Sequence, residues 1–112
     1  RHCYFCGLDD LLALAIRAGL PLETAIRILC GGPAGMPMVT DRIPKILGED
    51  TSVGFTIAAA KKDNDVFQRV VEAYGLDSPI LALVEKRQAA AVADGMGEMD
   101  PASLATAAYN RG

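Results

Sequence analysis

The sequence predicts an all-α protein, a helical bundle of about six helices. Three observations carry that expectation. Apolar residues recur at spacings of three and four along most of the chain, as one face of an α-helix requires. No segment shows the alternating β-branched pattern of a strand, and no repeat or low-complexity tract interrupts the pattern. Glycines and prolines fall between the patterned segments, where helices stop and start. With 112 residues, 51% of them hydrophobic, there is material for one globular unit with a modest core.

Residues 8–18, LDDLLALAIRA, carry leucine, isoleucine and alanine on most faces, as a helix sandwiched between others does, and stop at Gly19. Pro21 suits a first helical turn; Leu22, Ala25, Ile26 and Leu29 follow at helical spacing until Gly31 and Gly32, with the first helix as the expected partner. The stretch GGPAGMPMVTDRIPKILGED is broken by Pro33, Pro37 and Pro44, so it should hold at most two short helical pieces and much loop, where ligand contacts can live. A long helix is predicted from about Thr56 to Tyr74, ended by Gly75, and Pro79 opens another that runs to Gly95. Asp100 and Pro101 form an N-cap and first-turn pair for a short last helix.

The long helix poses a question of faces. Lys61, Asp65, Gln68 and Glu72 fall on one stripe and read as a solvated face, whereas Ala59, Val66, Phe67, Val70 and Tyr74 fall on the other side and read as facing a core. Asp63 then sits amid the apolar stripe and Lys62 at its edge. An unpaired ion in an apolar setting costs several kcal/mol, so each must be paired, solvated by a cleft or neutralised. From the helix alone, Asp63 can cap or pair with a neighbour and Lys62 can snorkel to water, or both can face something that approaches from outside.

Composition excludes several classes. A net charge of -3 with scattered basic residues argues against nucleic acid as a partner. No apolar run approaches the roughly 18 residues of a membrane span, and the N-terminus lacks the layout of a signal peptide, so a soluble cytoplasmic protein without a membrane partner is expected. The chain begins with Arg1 and is patterned almost at once, as a piece of a longer protein would be. Cys3, Cys6 and Cys30 are an odd number, so no disulfide framework is expected. His2, Cys3, Cys6 and Cys30 could in principle hold zinc, but Cys30 stands alone inside LETAIRILC, and three buried or free thiols and no metal are the expectation.

Much catalytic chemistry has no residues here. His2 is the sole histidine and sits at the chain end, Asp9 and Asp10 are adjacent rather than facing, and GGPAG follows no strand that could make it a phosphate loop. Lys62 is left as the one residue with a plausible chemical duty: holding an anion or polarising a carbonyl.

The order of features resembles the C-terminal, all-helical domain of the β-hydroxyacid dehydrogenases, the family of 3-hydroxyisobutyrate dehydrogenase and tartronate semialdehyde reductase, with 6-phosphogluconate dehydrogenase more distant. The resemblance is carried by DDLLALAIRAGLPLETAIRIL, with Asp10 where the family usually has glutamate; by IPKILGED followed by GF; by Phe55 ahead of Lys62 and Asp63, a Phe-x6-Lys-Asp element; and by SPILALVEKRQAAAVADGMGEMDPASL. It covers nearly everything from Gly7 to the end.

The resemblance implies a role for Lys62 and Phe55 in binding NAD or NADP at a cleft between domains, the lysine holding the nicotinamide cofactor near a small hydroxy acid and the phenylalanine lining the cleft. Asp63 is implied to be a structural charge beside the site. The family's Rossmann domain, its serine-glycine-glycine substrate loop and its catalytic lysine are not in this sequence; that lysine would fall before Arg1, so no catalytic residue is expected here. The loop that often meets the substrate reads GMPMVTD, with Met36, Met38 and Thr40. The chain is thus expected to be a substrate and dimerisation domain, 1–112, inactive alone and assembling as a homodimer or higher oligomer. The alternative is a free-standing helical oligomerisation or protein-interaction module without catalysis. The encoding reading frame separates the two: a Rossmann sequence immediately upstream is expected, and a start codon at or just before Arg1 would contradict it.

Overall fold

A computed structural model describes residues 2–112, and among them every regular element is helical. Seven helices follow in order: α1 His2–Arg17, α2 Leu22–Gly31, α3 Pro37–Thr40, α4 Ile43–Ile46, α5 Ile57–Ala73, α6 Pro79–Ala93 and α7 Ala102–Arg111. The all-α expectation holds. The count exceeds about six because Pro37 and Pro44 sit in the first turns of α3 and α4, where a missing N–H costs nothing, so they open short helices. α1 also begins earlier than residue 8, and the sole histidine is its first residue.

Glycine ends the helices where the sequence placed the stops. At Gly19, φ is +80°; its amide donates to the Ile16 carbonyl at 3.0 Å and that of Leu20 to Ala15 at 3.0 Å. Gly75, with φ +67°, ends α5 through the same pair of bonds, to Glu72 and from Leu76 to Val71. This is the Schellman arrangement, which needs a left-handed residue that a side chain disfavours.

The chain divides into two compact units. One takes the described residues through Cys6 together with Val53–Pro101, and the other takes Gly7–Ser52 with Ala102–Gly112. In the second unit Leu12, Ile26, Val39, Ile46 and Ala105 are the most deeply buried apolar residues. There α2 meets α3 more extensively than it meets α1, its expected partner, and α7 packs on α4, with the Thr106 hydroxyl donating to the Ile46 carbonyl at 2.7 Å. Tyr109 donates its hydroxyl to the Leu20 carbonyl at 2.7 Å. Lys45 reaches the Ser52 hydroxyl at 2.9 Å and Asp50 at 3.6 Å. Hydrogen bonds from the Ser52 hydroxyl and amide, with the Lys45 charge, hold the Asp50 carboxyl below its ordinary range.

The first unit is built on a hairpin of α5 and α6, and here the expected faces are overturned. The stripe that α5 buries is Ile57, Ala60 and Asn64, with Lys61, Gln68 and Val71 half-buried beside it. The apolar stripe expected to face a core lies outside: Phe67 is 60% and Tyr74 78% exposed, and Val66 and Val70 are exposed as well. Asp63 is exposed with them, so it does not anchor a neighbour from a core face. The physical reason is closeness of approach. Beside Ile57, α5 buries the smaller Ala60 and Asn64, Asn64 meets Gln88 on α6, and the large Phe67 and Tyr74 are turned away.

The face assignment is testable by substitution. Ile57→Ala is expected to cost about 2–5 kcal/mol in denaturant unfolding. Phe67→Ser should change the monomeric chain by less than about 0.5 kcal/mol, as at an exposed site.

Candidate functional site

The start of α5 is fixed by a strap from the end of the same unit. Thr56 caps the helix, its hydroxyl accepting from the Ala59 amide at 3.1 Å. The Ile57 amide donates to the Met99 carbonyl at 2.9 Å and the Ala58 amide to Gly97 at 2.8 Å. Asp100, only 6% exposed, accepts from the Gly54 amide at 3.3 Å. The first three helical amides are therefore all answered from within the unit. A helix N-terminus usually offers such amides to an anion. This one offers none, so any anion met here must be held by side chains.

Two adjacent lysines follow on α5, and the structure separates them. Lys61 Nζ lies 2.8 Å from Asp65 Oδ2 and 3.7 Å from Glu85 Oε1 on α6. The hydrogen bond that Lys61 donates to Asp65 leads in holding the Lys61 amine above the ordinary lysine range, against desolvation that acts the other way, with the Asp65 and Glu85 charges adding to it. Lys62 is exposed, and its amine has no ion pair or hydrogen bond to a described residue. It is the lysine of the pair that can take an incoming anion. Asp63 beside it is exposed and likewise unpaired among the described residues.

Phe55 is half-buried just ahead of the Thr56 cap, in the segment held by Asp100. No hydrogen bond or ion pair joins it to Lys62; the seven-residue spacing puts them roughly 10 Å apart along the axis. Met36, Met38 and Thr40 belong to the other unit, where residues 37–40 are helical rather than loop. Among the described residues no group of three or more histidine, cysteine or acidic side chains converges as a metal site, and Cys3, Cys6 and Cys30 are in no disulfide.

A feature missed by the sequence reading is a shallow cavity of about 400 Å³ between α5 and α6, lined by Asp65, Gln68, Arg69, Glu72, Ala82 and Glu85. The Gln68 Oε1 atom is shielded from solvent there without a hydrogen-bond partner. Asp65, Gln68 and Glu72 were read as part of a solvated face, and the signal that could have found the cavity is the acidic Glu85 at a position on α6 able to face Lys61.

Residues 5–108 match the family described as the NAD-binding of NADP-dependent 3-hydroxyisobutyrate dehydrogenase. The chain belongs to that family. Its match runs from within α1 to within α7, and it makes a nicotinamide cofactor the ligand class to test against the structure. The residues fit in part. The exposed Lys62 amine suits a phosphate or carboxamide oxygen of such a cofactor, whereas the sealed N-terminus of α5 supplies no pyrophosphate cradle.

No described helix of this family member is long and apolar enough to cross a membrane. Asp65→Asn is expected to lower the Lys61 titration toward the ordinary lysine range, read by NMR of the ε-methylene. The sign follows from a raised folded pKa: what the pair adds to stability is present below the ordinary lysine pKa and lost as pH rises through the folded value. The alkaline loss should shrink in Asp65→Asn.

Proposed function

We propose that the chain is the C-terminal helical part of a cytoplasmic NAD- or NADP-dependent β-hydroxyacid dehydrogenase, akin to 3-hydroxyisobutyrate dehydrogenase. It contributes one side of the cofactor and substrate cleft and a subunit interface, and it does not turn over substrate alone. The observation that carries this reading is the family match over residues 5–108. Lys62 is the residue assigned to the cofactor, because its neighbour Lys61 is committed to Asp65 and Glu85. Phe55 lines the cleft. The bound cofactor supplies the hydride chemistry; a separate Rossmann domain holds most of it, and an acid/base lysine outside this chain moves the proton at the hydroxy acid.

The exposed side of the hairpin supports the interface. Phe67, Val70 and Tyr74 on α5 are accompanied by exposed Leu76, Ile80 and Leu83, more large apolar side chains than a solvated helix pair carries. A second subunit is the proposed cover.

In the whole enzyme, Lys62→Ala should reduce kcat/KM for the cofactor by about tenfold to a hundredfold, the worth of one charge-assisted hydrogen bond. Lys61→Ala should cost less, and an unchanged Lys62→Ala enzyme would remove this lysine from the site. Phe67→Asp with Tyr74→Ser should shift sedimentation toward monomer while the helical circular dichroism is kept.

A further inference from the structure

Asn64 and Gln88 are the buried polar side chains of α5 and α6 among the described residues, each 5% exposed. The Asn64 Nδ2 donates to Gln88 Oε1 at 2.7 Å. The other buried residues of the two packed helices are Ile57, Ala60, Val84 and Ala91, all small or aliphatic and none directional. The Lys61–Glu85 pair on the flank is longer, at 3.7 Å, and partly exposed, so it holds the helices loosely. An amide pair behaves differently from both. A slip of one turn moves its members apart by about 5.4 Å and leaves two amides buried without partners.

We propose that Asn64 and Gln88 are a positioning pair, whose buried hydrogen bond sets the rotation of α5 against α6 and thereby aims Lys62. This rests on the assignment of Lys62 to the cofactor. The geometry of a helix makes the link direct: residues 62 and 64 are about 200° apart around the axis, so Lys62 is directed away from α6 whenever Asn64 is directed toward it. A rotation of α5 by one residue, about 100°, carries the Lys62 amine off that direction. Buried polar pairs are at their best attested as devices that fix helix register, and replacing both members by apolar residues of similar volume often leaves stability unchanged or higher. The pair therefore separates aim from stability, and that separation is the signature to look for.

The test uses Asn64→Leu with Gln88→Leu. In this chain, with its cysteines replaced by serine and spin labels at the exposed positions 63 and 86, the parent should give one narrow distance distribution. The leucine pair should broaden or shift it while the thermal midpoint holds or rises. In the whole enzyme the same pair should raise the cofactor KM by about tenfold to a hundredfold, the usual cost of a small misplacement, and leave the hydroxy-acid KM near the parent value. Asn64→Gln with Gln88→Asn, which rebuilds an amide bond of the same total length, should restore both readouts. The proposal is overturned if the leucine pair keeps the narrow distribution, if it unfolds the chain, or if it alters the distribution while Lys62→Ala raises the cofactor KM and the leucine pair does not. If Lys62→Ala has no effect, the cofactor role of Lys62 is what fails, and the distance distribution still decides whether the pair sets the rotation.

Discussion

Helices α5 and α6 are joined by a turn too short to let them part, and their buried residues are small or aliphatic apart from one amide hydrogen bond, Asn64 to Gln88. From that contact most of the unit follows. Ala60 and Ala91 are buried with Ile57 and Val84, while Phe67, Val70 and Tyr74 are exposed. Asn64 needs Gln88 as a partner, because an unpaired buried amide costs about 1–3 kcal/mol. With the rotation of α5 set in this way, Lys61 falls beside Asp65 and within reach of Glu85, and Lys62 falls on the open side.

The start of α5 limits how the face beside Lys62 can meet a ligand. The strap of Gly97, Met99 and Asp100 occupies the amides before and at the start of α5, so the positive end of the helix dipole is spent on the protein's own carbonyls and carboxylate. What faces outward is one unengaged lysine beside an unengaged aspartate, with a half-buried phenylalanine near the helix start. Such an array can hold and orient an anionic or carbonyl-bearing group. Among the described residues no group of three or more histidine, cysteine or acidic side chains converges as a metal site.

Helix existence and boundaries were legible because they are written locally. Gly19 and Gly75 end helices through bonds within a few residues of themselves, and Pro37, Pro44 and Pro79 each sit in a first turn. Faces were not legible, because they depend on what the helix meets. The usual inference turns the more apolar stripe inward; on α5 the stripe of Ile57, Ala60 and Asn64 is buried instead, and the stripe of Val66, Phe67, Val70 and Tyr74 is exposed. Lys61 looked like half of an ordinary exposed pair at i and i+4, yet Glu85 makes it a bridge to the next helix. Asp100 was read as the cap of the last helix from its neighbour Pro101, whereas its carboxylate also reaches the Gly54 amide, 46 residues away in sequence. The Phe55 and Lys62 spacing singled out one lysine from the sequence, and the ion pairs of Lys61 leave Lys62 as the unengaged member of the adjacent pair.

The most direct measurement is a crystal structure of the protein with a nicotinamide cofactor bound. The expected result is Lys62 Nζ within about 2.7–3.2 Å of a cofactor oxygen, with Lys61 still on Asp65 and Asn64 still bonded to Gln88. A structure in which Lys61 leaves Asp65 to hold the cofactor, or in which the Lys62 amine stands in solvent far from it, would contradict the account.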